Sequence, residues 1–210
     1  LVIGLGTIGL LVTMLLAEAG IRNILVIGNK EFQKQKATEI GIPKDNYCDS
    51  RYHDMTGWVR EHTGGLGADI IFECVGKNET YCQAVDCAGI SGNIILVGNP
   101  CSDMSLNKEI YWKILRNELT IKGTWNSSFT PPLTEKLQED KSPIGPQADT
   151  LPPTEENIDD WHYVLNRLAA KKIQPEHIIS HHFSLEQLET GLHIMRDKSE
   201  DYGKIMITTS

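Results

Sequence analysis

Three glycines near the start of the sequence have the spacing of a phosphate-binding turn. Gly4, Gly6 and Gly9 give the pattern G-x-G-x-x-G at the end of an apolar strand pattern, and Thr7 and Ile8 lie where a helical pattern begins. Such glycines permit a tight turn and the close approach of a pyrophosphate, and the free N–H groups at the start of a helix attract its charge. The motif alone is a weak signal, but its position between a strand and a helix favours dinucleotide binding over a simple glycine turn.

The end of the second predicted strand bears on the choice between NAD and NADP. An acidic residue about 20 positions after the turn normally accepts hydrogen bonds from the adenosine ribose. Here Gly28 stands 19 positions after Gly9, and Asn29 and Lys30 follow it. Without a carboxylate nothing repels a 2′-phosphate, and the Lys30 ammonium would attract it, which favours NADP. In the alternative interpretation Asn29 bonds the ribose of NAD and Lys30 is a solvated residue at a helix start.

Two later segments are also candidate cofactor contacts, because ligands of open parallel sheets bind outside the carboxyl ends of the strands. They follow the fourth and fifth predicted strands and comprise Cys74, Val75, Gly76, Val97, Gly98 and Asn99. We expect Cys74 to be a small buried hydrophobic residue and not a reactive thiol. Gly98 would let the chain pass close to the nicotinamide.

Strands that alternate with helices position these segments. Short apolar runs predict strands over residues 1–5, 24–27, 47–48, 69–74, 93–97 and 119–122. The stretches between them carry helical patterns, and the strands are almost continuously apolar, which is typical of a parallel sheet covered on both faces. The predicted fold class is therefore α/β, a doubly wound six-stranded parallel sheet of the Rossmann type, with a carboxyl-terminal helix and strand tail.

The pattern divides the chain into three parts. Residues 1–125 form the predicted dinucleotide-binding domain. Residues 126–156 contain six of the nine prolines and are interpreted as a long loop or disordered insert. Residues 157–210 carry helical patterns, a capping box at Ser184 and Gln187, and a final apolar strand, and would pack on the dinucleotide-binding domain.

Composition excludes several other kinds of partner. The 210 residues include 28 acidic and 20 basic side chains, a formal net charge of −8, whereas a nucleic acid or an anionic membrane would require a basic patch. The apolar start has neither the basic leader of a signal peptide nor the roughly 20 residues of a membrane span. Five cysteines without a Cys-x-x-Cys pair predict neither a disulfide framework nor a zinc knot, and indicate a cytoplasmic protein.

The carboxyl-terminal part offers two weak candidate sites. His177, His181 and His182 cluster in the sequence, but no cysteine or acid stands near them at regular spacing, so we interpret them as a solvated turn and expect no metal site. Asp159 and Asp160 are interpreted as acids at the start of a helix, where they favour its dipole, and not as a catalytic pair.

Several motifs in fixed order resemble one family. They are Leu-Gly-Thr-Ile-Gly-Leu at 5–10, Ala-Asp-Ile-Ile-Phe-Glu-Cys-Val-Gly at 68–76, the segment 92–98, and Asn-Glu-Leu-Thr-Ile-Lys-Gly-Thr-Trp at 117–125. The chain thereby resembles the zinc-dependent medium-chain alcohol and polyol dehydrogenases, in particular the branch of sorbitol and galactitol-1-phosphate dehydrogenases. The resemblance covers residues 1 to about 125 and resumes at about 157.

The resemblance implies hydride transfer between a small alcohol, polyol or polyol phosphate and NAD or NADP, with zinc polarising the oxygen. It also implies three groups of contacts: pyrophosphate at Gly6, Thr7 and Ile8, ribose at Gly28, Asn29 and Lys30, and nicotinamide at Val97, Gly98 and Asn99. In the family the zinc ligands belong to an amino-terminal domain that precedes the strand at Leu1, so we expect no catalytic residue among these residues. The tail would also pack on that domain, and a homodimer or homotetramer is expected.

Two other functions share the glycine turn. A non-enzymatic nucleotide-sensing module would use the proline-rich insert 126–156 to contact a partner. A methyltransferase with a similar turn is disfavoured, because it too would usually have an acid where Gly28 stands.

Overall fold

The structure, a computed structural model, describes residues 1–129 and 159–209. The strands are β1 Val2–Ile3, β2 Val26–Gly28, β3 Tyr47–Asp49, β4 Ala68–Glu73, β5 Ala88–Leu96, β6 Thr120–Gly123, β7 Ile179–Ser184 and β8 Lys204–Thr208. The helices are α1 Thr7–Glu18, α2 Glu31–Glu39, α3 Met55–His62, α4 Asn78–Cys87, α5 Lys108–Arg116, α6 Asp160–Ala169 and α7 Leu188–Asp197. Short 3-10 helices cover Lys44–Asn46, Pro175–Ile178 and Leu185–Gln187.

Six of the strands form one parallel sheet in the order β3-β2-β1-β4-β5-β6. Strands β1 to β3 build the sheet outward from β1 in one direction, and strands β4 to β6 build it outward from β4 in the other. This is the doubly wound arrangement, and it confirms the fold predicted from the sequence. The crevice of such a sheet lies at the carboxyl ends of β1 and β4, where the winding direction changes.

The core explains why the strands are apolar on both faces. One cluster joins strand residues such as Ile3, Ile71 and Ile94 to buried helix residues such as Val59 and Val85, all of them 0–1% exposed. Burying an aliphatic side chain of this size contributes roughly 1.5–3 kcal/mol. The sheet is therefore a rigid base for the loops at its carboxyl edge.

Strand β5 begins at Ala88, five positions earlier than residue 93, where the sequence predicts it. The early part pairs Ala68 with Ala88 before a register shift, and it contains Gly89 and Gly92. A Cβ added at Gly89 would lie 2.7 Å from the carbonyl oxygen of Leu66. The glycines that permit this close approach are the residues that make the segment look like a loop in sequence.

The carboxyl-terminal residues contain a strand that the sequence analysis does not predict. His181 and His182 lie on β7, which pairs in parallel with β8, and His177 lies in a 3-10 helix. The interpretation of this histidine cluster as a solvated turn is therefore wrong. The polar run of Ser180, His181 and His182 leaves β7 without an apolar pattern, and the fold permits this because β7 and β8 form only a two-stranded, half-buried sheet.

The described residues fall into two compact units, 1–124 with 174–209, and 125–129 with 159–173. In the second unit Asp159 caps α6 by accepting a 2.8 Å hydrogen bond from the backbone N–H of His162, and Asp160 lies in the first turn, as predicted. Most of the proline-rich segment 126–156 lies outside the described residues, so the predicted three-part division stays a prediction. Within the described residues, no helix combines the length and apolar character that a membrane span needs.

Candidate dinucleotide-binding site

The turn between β1 and α1 is closed by glycines that leave no room for side chains. Gly4 has a φ of +90°, and a Cβ there would overlap the side chain of Val75. A Cβ at Gly9 would overlap the carbonyl oxygen of Gly4. The first turn of α1 therefore packs directly on the end of β1, as the glycine motif predicts.

Gly6 differs from the other two glycines of the motif because the space above it is open. A Cβ added there would meet no atom within 4 Å, and Gly6 is the N-cap residue of α1 with no side chain capping it. The next residues, Thr7 and Ile8, begin the helix, and the Ile8 side chain is 52% exposed. An uncapped helix start below an open glycine offers N–H donors and a positive dipole end to an anion. These residues fit a pyrophosphate.

At the end of β2, where the fold usually has an acid, this chain has Gly28, and the amide group of Gln33 lies beside it. Gly28 is buried, and a Cβ on it would lie 2.6 Å from Oε1 of Gln33 and 2.8 Å from the hydroxyl of Tyr47. The same Gln33 oxygen accepts a 2.8 Å hydrogen bond from the backbone N–H of Asn29. The sequence analysis does not identify Gln33, although its place four residues after Asn29, in the first turn of α2, is a usable signal.

Tyr47 fixes the same corner from β3. Its hydroxyl donates a 2.9 Å hydrogen bond to the carbonyl oxygen of Lys30. Burial raises the pKa of Tyr47 to about 12, so the phenol is a neutral donor at physiological pH. The backbone that presents Asn29 and Lys30 is thereby tied to the sheet.

The Lys30 side chain is paired with an acid from the other end of the chain. Its Nζ lies 2.8 Å from Oδ1 of Asp201, and the two side chains are 39% and 52% exposed. From the sequence Lys30 is expected to be unpaired, and Asp201 is not among the predicted site residues. No local pattern could reveal this pair, because 171 positions separate the two residues.

The loops after β4 and β5 are organised by one buried carboxylate. Glu73 is 2% exposed, and its Oε1 accepts hydrogen bonds from the backbone N–H groups of Val75 at 2.8 Å and Gly76 at 3.1 Å, and from the Thr80 hydroxyl at 2.8 Å. Its Oε2 also lies 3.2 Å from the Gly76 nitrogen. These donors compensate the cost of burying the charge, since hydrogen bonds to ionised groups are the stronger ones. Glu73 lies in the motif at 68–76, but the sequence alone predicts no structural or binding role for it.

Two glycines let the backbones of these two loops come into direct contact. A Cβ on Gly76 would overlap the carbonyl oxygen of Asn99, and one on Gly98 would overlap the backbone nitrogen of Gly76. The N–H groups of Val97 and Gly98 both donate to the carbonyl oxygen of Glu73, at 2.9 and 2.8 Å. Gly98 therefore has a packing reason of its own, in addition to the predicted approach of the nicotinamide.

Cys74 has the environment of a packing residue. Burial raises the pKa of its thiol to about 12, so the group is protonated and weakly nucleophilic at neutral pH.

Residues 1–129 and 159–209 contain no group of three or more His, Cys, Asp or Glu side chains that could hold a metal ion.

The strand order, the glycine turn and the open helix start define a dinucleotide-binding domain of the Rossmann class. The family model described as zinc-binding dehydrogenase matches residues 7–139, more than half of the chain. The chain belongs to the zinc-binding dehydrogenase family, which confirms the resemblance inferred from the sequence.

The relatives that this chain matches include dehydrogenases of a polyol and of a polyol phosphate. Sorbitol dehydrogenase of Halalkalibacterium halodurans is 25% identical over 209 residues, which are 99% of this chain and 50% of the relative. Galactitol 1-phosphate 5-dehydrogenase of Escherichia coli K12 is 30% identical over 132 residues, or 62% of this chain and 37% of the relative. The crystal structure of galactitol-1-phosphate dehydrogenase from Escherichia coli superposes with a TM-score of 0.72 at 25% identity, covering 97% of this chain and 51% of that one. The chain spans about half the length of the sorbitol dehydrogenase relative.

Proposed function

We propose that this chain is the NAD(P)-binding part of a zinc-dependent oxidoreductase that transfers a hydride between a polyol or polyol phosphate and the cofactor. Membership of the zinc-binding dehydrogenase family supports the reaction class, and the sorbitol and galactitol-phosphate relatives support the substrate class. The observation that carries nucleotide binding is the open space at Gly6 above the uncapped start of α1.

In this proposal three regions of the crevice hold three parts of the cofactor. The backbone N–H groups of Gly6, Thr7 and Ile8 bind the pyrophosphate, since each can donate to an anion at the helix start. The residues from Gly28 to Lys30 meet the adenosine ribose. The loops after β4 and β5, held by Glu73, flank the nicotinamide, which supplies the hydride acceptor or donor when it is bound.

We place the zinc ion outside the described residues. In this family it would polarise the alcohol oxygen as a Lewis acid. Because the chain matches only half of the sorbitol dehydrogenase, we propose that residues outside this chain hold the metal and most of the alcohol. We further propose a cytoplasmic homodimer or homotetramer.

For the cofactor we favour NADP over NAD. The support is the absence of an acid at Gly28, together with the Lys30 ammonium two positions later. The ion pair between Lys30 and Asp201 opposes this preference in part, so we expect it to be modest.

The test is a fluorescence titration of the protein with NADPH and NADH. We expect saturable binding of both, and its absence for both would refute the proposal. Gly6→Asp places a carboxylate in the open space without a clash in the free protein and should abolish binding by charge repulsion. The matched control is Gly123→Asp on the edge strand β6, since a Cβ there also meets no atom within 4 Å. Reduction of the cofactor in the presence of sorbitol or galactitol 1-phosphate, measured on the full-length protein with zinc, tests the reaction itself.

A further inference from the structure

We propose that Asp201 is a specificity-determining residue that limits the preference for NADP by holding the Lys30 ammonium. This inference rests on the proposed nucleotide site and adds a residue from the segment between α7 and β8. The residue paired with Asp201 stands two positions after the end of β2. At the end of β2 the fold usually presents an acid to the adenosine ribose, and this chain has Gly28 there instead.

Contacts on the carboxyl-terminal side of Asp201 fix the position of its backbone. The N–H of Gly203 donates a 3.0 Å hydrogen bond to the Ser180 hydroxyl, and the carbonyl of Gly203 accepts one at 3.3 Å from the Thr7 hydroxyl. A Cβ on Gly203 would lie 3.2 Å from the ring of Phe32 on α2. The segment is therefore anchored to the glycine turn and to α2, the two elements that frame the proposed site.

The geometry makes Asp201 and a 2′-phosphate competitors for one cation. Lys30 Nζ has its 2.8 Å hydrogen bond to Asp201, and a phosphate that approached the same ammonium would stand roughly two hydrogen-bond lengths, about 6 Å, from the carboxylate. A phosphate monoester carries a charge of about −1.5 to −2 at neutral pH. Coulomb's law with a water-like dielectric then predicts that Asp201 weakens NADPH binding by about six- to tenfold before screening by salt.

NAD is insensitive to the same carboxylate, because its ribose presents an uncharged hydroxyl at this position. The Asp201 carboxylate thus provides a negative charge near the end of β2, where this chain lacks the usual acid. The effect is on the ratio of the two affinities, and it should fall with added salt, since both side chains are partly exposed.

The experiment compares Asp201→Asn with Asp197→Asn in fluorescence titrations of the full-length protein. Asp197 is a matched control because its removal changes the net charge equally, while its partner is the neighbouring Arg196. At low salt we expect Asp201→Asn to bind NADPH about six- to tenfold more tightly and NADH within about twofold of the wild type, with no change in Asp197→Asn. The gain should shrink as the salt concentration rises.

A double-mutant cycle with Lys30→Ala tests whether the effect passes through the lysine. In the Lys30→Ala background, Asp201→Asn should raise NADPH affinity by less than it does in the wild type, because without the ammonium nothing holds the phosphate within about 6 Å of the carboxylate. Equal changes for NADPH and NADH, or weaker NADPH binding in Asp201→Asn, would overturn the inference while leaving the proposed function standing. If the wild type binds neither nucleotide, both are overturned.

Discussion

Glu73→Gln should destabilise the protein and loosen the loops at the nicotinamide end of the site. The substitution keeps the shape of the side chain but removes its charge and turns one acceptor into an N–H donor. The carboxylate accepts from Val75, Gly76 and Thr80, and hydrogen bonds to an ionised group contribute about 1.5–3 kcal/mol against about 0.5–1.5 for neutral ones.

The magnitude follows from two opposing effects. Three bonds that each weaken by about 1 kcal/mol would cost about 3 kcal/mol, and an amide group facing the Gly76 N–H adds a clash of donors. Burying a neutral amide instead of a carboxylate recovers part of this loss, because Glu73 is 2% exposed. We expect a net loss of about 2 kcal/mol in the free energy of unfolding, a fall in Tm of about 4–8 °C for a chain of this size.

Thermal unfolding followed by circular dichroism, with NADH titrations alongside, measures both consequences. The matched control is Glu79→Gln, an exposed glutamate next to Thr80 in the first turn of α4, which should change Tm by less than about 2 °C. Thr80→Val removes a single donor and should fall between the two variants. A Glu73→Gln protein with wild-type Tm and wild-type NADH affinity would refute the idea that this carboxylate holds the loops.

Two other predictions concern a glycine of the β1–α1 turn and the reactivity of two cysteines near the site. Gly9→Ala should lower the free energy of unfolding by about 2 kcal/mol or more, because its Cβ would overlap the Gly4 carbonyl. Chemical denaturation measures this loss, and the control is Gly123→Ala, whose Cβ meets no atom within 4 Å. Thiol-reactive reagents at neutral pH should label Cys101 rapidly and Cys74 slowly. Cys101 is exposed. Burial raises the pKa of Cys74 to about 12, so its thiol stays protonated until the pH approaches that value. Cys101→Ser should remove the rapid phase, and a rapid phase that persisted would contradict this assignment.

Local patterns predicted most of the fold because each central strand is an apolar run covered on both faces. The signal fails where burial is partial or the backbone is crowded. Strand β7 carries His181 and His182 in a two-stranded sheet, and the start of β5 contains Gly89 for close backbone approach. Neither feature leaves an apolar run in the sequence.

The candidate site divides in the same way. The glycine turn and the loops after the strands were predictable, since their residue types express backbone requirements at fixed sequence distances. Gln33 was open to prediction from its place four residues after Asn29, whereas Asp201 was not, because its role depends on where the folded chain puts its carboxylate. Asp201 reaches Lys30 across 171 positions, a contact that only the folded chain creates.

The proposed nicotinamide and adenosine ends of the site are held by different means, and this bears on which properties of the site can change. The nicotinamide end depends on glycine backbones in contact and on the buried Glu73, so a substitution there alters the fold as well as the site. The adenosine end depends on partly exposed side chains, Lys30 and Asp201, whose pairing contributes at most about 1 kcal/mol to stability. Cofactor preference should therefore respond to substitutions that leave Tm unchanged, whereas the loops at the nicotinamide should not tolerate change without a loss of stability.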